Sequence, residues 1–172
     1  MAKKDISPIV GNRVRLRLLT ESDLPVTRSW RNQDHIRKWF LTSKEINSEE
    51  HHAWFLNYKD RDDDFVFIIE EAETCRAIGQ ISLYNIDWRC RQAEYGRLMI
   101  GETDVVGKGF AHEASVLLVD YAFKQFGLNE IILEVFASNT HAIAIYNKCG
   151  FKVVDHYENI LKMSKRVKEG LD

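Results

Sequence analysis

The sequence predicts a mixed α/β domain, a largely antiparallel sheet carrying one central crossover. Three strand-like runs follow one another between Phe65 and Ile100 with only short polar links, which makes an antiparallel meander. The third run feeds the glycine-bearing loop Val105-Val106-Gly107-Lys108-Gly109-Phe110-Ala111, which opens a helix. The strand after that, Ile131 to Phe136, is reached only through the helix and should therefore lie parallel to the strand before the loop. A chain of 172 residues with 45% hydrophobic content has material for one well-packed domain over residues 1–172 and too little for two of ordinary size.

In chain order, Arg13 to Leu19 alternates basic and apolar residues, the period-two mark of a half-buried strand. Thr20 or Ser22 caps a helix whose inner face is Leu24, Val26 and Trp30. A second short helix is predicted over Asp34 to Phe40. A third starts at Asn47 or Ser48, with Glu49 and Glu50 behind the cap and Trp54, Phe55 and Tyr58 at helical spacing. Helices this close together make a lid or a cleft wall. The run Lys59 to Asp64 reads as a solvated turn rather than a metal site. Phe65 to Glu70, Ala77 to Ile86 and Gln92 to Ile100 are the meander strands. A helix from His112 to Phe126 stops at Gly127, and another from His141 to Cys149 stops at Gly150. Phe151 to Tyr157 and Ile160 to Lys165 close the chain as strands.

The charge balance excludes some partners. With 24 basic against 26 acidic residues the formal charge is -2, which gives no global field to hold a nucleic-acid backbone. Cys75, Cys90 and Cys149 are widely spaced and form no Cys-x-x-Cys pair, which argues against a disulfide framework and a zinc site and fits a reducing cytoplasm. The charged start Met1-Ala-Lys-Lys-Asp5 is followed by no apolar segment, and no run approaches a membrane span, so neither export nor a membrane partner is expected. Nothing in the chain precludes a homodimer.

The loop after the third meander strand carries the chemistry. A strand that passes through a glycine-bearing loop into a helix leaves unpaired backbone N–H groups converging at the positive end of the helix dipole, a cradle for phosphate. Gly107 and Gly109 let an anion approach that backbone with no Cβ in the way.

Farther along, the run from Glu134 to Phe151 contains Asn139, Ala142, Tyr146, Gly150 and Phe151. It resembles the Asn-x-x-Ala-x-x-x-Tyr-x-x-x-Gly-Phe signature of the GNAT superfamily of acetyl-CoA-dependent N-acetyltransferases. With Gly107-x-Gly109-x-Ala111 upstream, the resemblance covers about Val14 to Lys165. It implies the GNAT fold, a mostly antiparallel sheet splayed at a central parallel pair with helices on both faces. It also implies acetyl-CoA as co-substrate and direct attack of an amine on the thioester, with no metal and no covalent enzyme intermediate.

Site residues follow from the same resemblance. Met99, Ile100 and Gly101 would line the pantetheine slot, where the amides of the arm satisfy splayed-strand backbone as an added strand would. Backbone N–H groups from Gly107 through Lys108, Gly109 and Phe110 to Ala111 would take the diphosphate, and Lys108 can add charge. Val106 stands where the family usually has Gln or Arg, so one side-chain contribution is absent. Asn139 would hydrogen-bond the pantetheine arm, with Ala142 following it on the same helix. Tyr146 would point at the sulfur and protonate the departing thiolate. For the base, Glu134 matches the position proposed in the ribosomal-protein N-terminal acetyltransferases, Glu94 is its rival one strand over, and a water chain is the third option. Cys149, the obvious nucleophile for a ping-pong route, reads instead as a small buried residue at a helix end.

On the acceptor side, Trp30-Arg31-Asn32, Ile36, Trp39, Ile46, Glu49-Glu50-His51 and Phe55 resemble the substrate segment of amino-sugar N-acetyltransferases of the pseudaminic-acid type. This implies a small-molecule amine, the 4-amino group of a nucleotide-linked sugar. Arg31 or Arg37 would pair with its phosphates, Trp39 would stack on the base or sugar, and His51 would bond the sugar or relay a proton. The bland reading makes Trp30, Trp39 and Trp54 core anchors and His51 a surface residue. Alternative acceptors are a protein N-terminus, for which Glu49, Glu50 and Asp62 to Asp64 would supply an acidic groove, and a polyamine or drug. A non-catalytic acetyl-CoA-binding module is a further alternative, against which Tyr146 speaks.

Overall fold

The structure is a computed structural model that describes residues 3–168; positions 1–2 and 169–172 of the expected domain lie outside the described residues. In chain order the elements are β1 (Ile9–Val10), β2 (Val14–Leu18), α1 (Leu24–Arg31), α2 (Asp34–Arg37), α3 (Ser48–Tyr58), β3 (Phe65–Glu71), β4 (Ala77–Asp87), β5 (Gln92–Ile100), α4 (Phe110–Lys124), β6 (Glu130–Phe136), α5 (Thr140–Lys148), β7 (Lys152–Tyr157) and β8 (Ile160–Arg166). Short 3₁₀ turns over Glu21–Asp23 and Thr103–Val105 precede α1 and follow β5. One eight-stranded sheet runs β1-β2-β3-β4-β5-β6-β8-β7, with β5 and β6 its parallel pair. No helix among the described residues is long and apolar enough to cross a membrane.

β3 shows why helices lie on both faces. Its residues Phe65 to Glu70 are all buried, and alternate side chains serve different cores. Phe65, Phe67 and Ile69 join Leu118, Val119 and Ala122 of α4 and Tyr146 of α5. Val66 and Ile68 join Leu24 of α1 and Phe55 and Tyr58 of α3. Near the end of β5, Trp30, Ile36 and Met99 form a third, smaller cluster.

Most of the expected elements are present, and the differences have local causes. The helix expected from His112 begins at Phe110, because Gly109 adopts φ +84° and caps it as a left-handed residue; Phe110 and Ala111 are therefore helical rather than loop. The helix expected over Asp34 to Phe40 is regular only to Arg37, after which Trp39 and Phe40 continue through single-turn hydrogen bonds to Ile36 and Arg37. β1, two residues long, is too short to leave a periodic signal. Thr20 is the cap before α1: its N–H and its hydroxyl both donate to Asp23 Oδ2, at 2.8 and 3.1 Å. Asn47 caps α3, accepting from Glu50 N at 2.8 Å.

The basic side chains of β2 are held by buried acids. Arg15 Nε and Arg17 Nε meet the two oxygens of Glu70 at 2.7 and 2.9 Å, and Arg17 also grips Asp23 with two bonds of 2.8 Å. Burial pushes the Asp23 carboxyl up, but the Arg17 guanidinium and the Thr20 donors outweigh it and leave its pKa below the ordinary value.

A carboxyl with a depressed folded pKa contributes stability that is fully present above its unfolded pKa, about 4, and is lost as pH falls through the folded value. Denaturant unfolding at pH 7 and pH 3 should therefore show Asp23→Asn costing stability at pH 7 and much less at pH 3; an equal cost at both would contradict the assignment. At Gly101 an added Cβ would lie 2.0 Å from Trp30 Cγ. Gly101→Ala should lower the melting temperature, at a cost of about 1–3 kcal/mol from overpacking.

Candidate active site

The site exists because β5 and β6 part. They pair only at Gln92 with Glu130, Ala93 with Ile131 and Glu94 with Ile132; beyond these, each runs on without the other. On its other side β5 carries a bulge: its register with β4 jumps from Ser82 opposite Gly96 to Gln80 opposite Met99, with Arg97 at φ +53°. A left-handed arginine costs on the order of 1–3 kcal/mol, and such strain is typical of sites where the chain must turn. The Arg97 guanidinium is anchored on buried Asp64 at 2.7 and 3.2 Å, and Gln80 Nε2 donates to the Arg97 carbonyl at 3.3 Å. Gly79 keeps β4 and β5 in contact past the bulge, since a Cβ there would come within 2.2 Å of the Met99 carbonyl oxygen.

The wedge between β5 and β6 opens into a cavity of about 740 Å3. It gathers most of the predicted residues: Tyr146, Glu134 and Glu94 of the chemistry; Met99, Ile100, Val106, Gly107, Gly109, Phe110, Ala111, Asn139 and Ala142 of the cofactor side; and Arg31 and Trp39 of the acceptor side. His35, Ile36, Phe40, Leu41 and Thr42 continue the wall there, so α2 and the turn after it form the anticipated cleft wall.

Four predicted residues stand outside the cavity lining. Gly101 lies beneath Trp30; its N–H donates to the Ile78 carbonyl at 2.8 Å and its carbonyl accepts from Gln33 Nε2 at 3.2 Å. Lys108 is exposed outside the cavity, and its carbonyl accepts from Arg13 Nη1 at 2.9 Å. His51 is half-buried on α3, stacked against Trp54 at 5.7 Å, where burial first and the Arg28 charge second lower its pKa. Arg37 pairs with Asp34 at 2.7 Å and Glu45 at 3.6 Å. Trp30 is a core anchor whose Nε1 donates to Glu102 at 3.0 Å, whereas Trp39 is exposed at the cavity wall.

The loop end of the cavity is rigidly supported. Gly107 and Gly109 take φ of +80° and +84°, which favour glycine, and the space around Gly107 is open. As the first turn of α4, Phe110, Ala111 and His112 have N–H groups without an i−4 partner. Arg13 ties this loop to β2: it reaches the Lys108 carbonyl and Glu113, while Glu113 Oε2 accepts the N–H groups of Arg13 and Val14 at 2.7 and 2.8 Å. Arg76 holds the preceding turn through two bonds of 2.8 Å to Asp104.

At the inner end, Tyr146 is only 8% exposed, with its ring edge-on to Tyr95 at 5.6 Å and close to Phe151 at 6.2 Å. Burial raises its pKa well above the usual phenol range, so it is a protonated donor at neutral pH. Asn139 caps α5, its Oδ1 accepting from Ala142 N at 3.3 Å, which leaves its NH2 for another partner. Glu94 accepts from Asn85 Nδ2 at 3.2 Å, and Glu134 accepts from the Tyr157 hydroxyl. Cys149 is buried with its thiol pushed up to about 11 by that burial, a poor nucleophile at neutral pH.

Sequence reasoning missed Arg13, Tyr84 and Arg97. Tyr84 lines the cavity from β4, directly across from Glu94. Its place on the open face followed from alternation, because Ile81 and Leu83 are the core positions of β4. Arg13 and Arg97 act through contacts distant in sequence and gave no local signal.

The acetyltransferase (GNAT) domain family model matches residues 13–152. An uncharacterized protein from Methanocaldococcus jannaschii, MJ1062, is 28% identical over 82% of this chain, which spans only 28% of that relative's length. Spermidine N(1)-acetyltransferase of Escherichia coli K12 is 31% identical over 81% of this chain and 73% of its own. Among solved structures, spermidine N-acetyltransferase from Vibrio cholerae in complex with CoA and spermine superposes with a TM-score of 0.83 at 24% identity, covering 91% of this chain and 96% of that one. With its parted parallel pair, its glycine loop at the head of α4 and a family match across most of its length, the chain belongs to the GNAT acetyltransferase family.

Proposed function

We propose that this protein transfers the acetyl group of acetyl-CoA to a primary amine of a small acceptor, by direct attack. One observation carries the reading: a single cavity joins open backbone N–H groups at the loop end to a protonated, buried phenol at the other. The residues fit the donor. The N–H groups of Phe110, Ala111 and His112, with Gly107 and Gly109 clearing the approach, would hold the diphosphate at the helix N-terminus. Met99, Ile100 and Asn139 would hold the pantetheine arm. Acetyl-CoA supplies an acyl group on a good leaving thiol.

Tyr146 gives its proton to the thiolate sulfur as the C–S bond breaks and the N–C bond forms. The proton lost by the amine goes to Glu94, Glu134 or solvent; both carboxylates line the cavity, and each carries a hydrogen-bond donor that keeps it oriented. Cys149, buried and with a raised pKa, takes no part.

For the acceptor, the spermidine acetyltransferases point to a polyamine and the relatives named as tubulin and ribosomal N-acetyltransferases to a protein; the polyamine, the acceptor of the solved neighbours, has more support than the nucleotide sugar. A specific observation favours the sugar as a second reading. Arg31 is 8% exposed, lines the acceptor end and makes no ion pair; its Nη2 meets the Thr42 carbonyl and its Nη1 has no partner among the described residues. A buried guanidinium without a counter-charge suits a phosphate and repels a polycation. Three of the five acids considered for a peptide groove are engaged, Asp63 by Arg61, Asp64 by Arg97 and Glu50 by the α3 cap.

The test is acetyl-CoA-dependent thiol release with spermidine, a UDP-4-amino-4,6-dideoxyhexose and an alanine-ended peptide. Tyr146→Phe should lower kcat on the accepted amine about 100-fold. Arg31→Gln should raise KM for the sugar tenfold or more and leave spermidine unimpaired, so its effect assigns the acceptor class. Full activity of Tyr146→Phe, or no release with any amine, would refute the reading. Iodoacetamide at pH 7.5 should alkylate exposed Cys75 and Cys90 well before Cys149, as read by peptide mass spectrometry. Early modification of Cys149 would reopen the ping-pong route.

A further inference from the structure

Tyr84 occupies a short window of regular pairing between two distortions. β4 and β5 are in register from Ser82 opposite Gly96 to Tyr84 opposite Glu94, and the register slips on either side of this stretch. Each slip holds a non-glycine residue at positive φ, Arg97 at +53° and Asn85 at +48°. Bulges of this kind re-aim the side chains between them. The Tyr84 ring is clamped by the Arg97 guanidinium 4.3 Å from its centroid, and that arginine is fixed in turn by buried Asp64. Its hydroxyl lies over Gly96, where a Cβ would stand 2.8 Å from the oxygen. Glycine at 96 is thus what lets the phenol reach over β5 at the mouth of the parting, in the cavity that also holds Glu94 and Tyr146.

We propose that Tyr84 binds the acceptor: its hydroxyl oxygen accepts a hydrogen bond from the attacking amine, and Glu94, directly across the strand pair, takes a second. The inference rests on the amine-transfer reading and adds a residue to it. Tyr84 keeps its own proton throughout, in keeping with a pKa pushed up to about 12 by burial and the nearby Glu94 charge. Its part is to hold the amine, while Tyr146 serves the leaving sulfur.

The experiment is steady-state kinetics of Tyr84→Phe and Gly96→Ala with whichever amine the wild type turns over, circular dichroism confirming the fold. Tyr84→Phe keeps the ring against Arg97 and removes only the hydroxyl. KM for the amine should rise about tenfold or more while KM for acetyl-CoA stays within twofold. Gly96→Ala, which displaces the hydroxyl without altering it, should move the amine KM in the same direction and serves alone if the phenylalanine variant fails to fold. An unchanged amine KM in a folded variant overturns the inference, as does a change confined to acetyl-CoA. A wild type that acetylates no amine would remove the transfer reading and this inference together, whereas an active wild type with an indifferent Tyr84→Phe variant removes this inference alone.

Discussion

The parting of β5 from β6 is the constraint on which the rest of the molecule depends. Two parallel strands in the middle of a sheet would ordinarily stay paired, since each unpaired buried backbone group costs on the order of 1–3 kcal/mol. Here pairing stops at Glu94 and Ile132. What turns β5 aside is a set of contacts on its far side: the Arg97 bulge anchored on Asp64, the close passage of Gly79 by the Met99 carbonyl, and Trp30 seated over Gly101. Only Gly101 admits the indole, and only Gly79 admits the neighbouring strand. Packing elsewhere thus maintains the open cleft, and a ligand with amide groups of its own can recover the lost pairing.

The two ends of the cleft are organised by opposite electrostatic strategies. At the loop end the charged side chains serve as struts. Arg13, Glu113, Arg76 and Asp104 satisfy one another and hold the Gly107–Gly109 loop, leaving the first N–H groups of α4 without an i−4 partner. At the opposite end the reverse holds: Arg31 is buried over the Phe40 ring with no acid paired to it among the described residues, Trp39 is exposed, and Glu94 and Glu134 line the cavity. A built-in struts-and-amides site suits a constant ligand. An unbalanced site suits a ligand that brings the missing charge.

Much of this was legible in the sequence because the decisive features are local. Gly107 and Gly109 before an apolar helix, the Asn139-Ala142-Tyr146 spacing, and the alternation from Phe65 to Ile100 all state their structure within a few residues. The parallel pair followed from the length of the crossover. Where a named residue stands apart from the cavity, the cause is distant in the chain. Gly101 looked like cofactor-facing backbone, yet Trp30, some seventy residues earlier, covers it. Lys108 looked like a phosphate ligand; it is exposed, does not line the cavity, and its carbonyl accepts from Arg13. His51 sat in the right segment but on α3, where it stacks on Trp54 and does not line the cleft. The β5 bulge was invisible, because nothing in Gly96-Arg97-Leu98 announces a left-handed arginine.

The central claim is that the cleft between β5 and β6 is the CoA site, and amide hydrogen exchange with and without CoA tests it most directly. The account predicts slowed exchange in peptides covering Tyr95 to His112 and Asn139 to Tyr146, with β1, β2 and β7 unchanged. Protection confined to other segments, or absent from the β5 and loop peptides at saturating CoA, would contradict it.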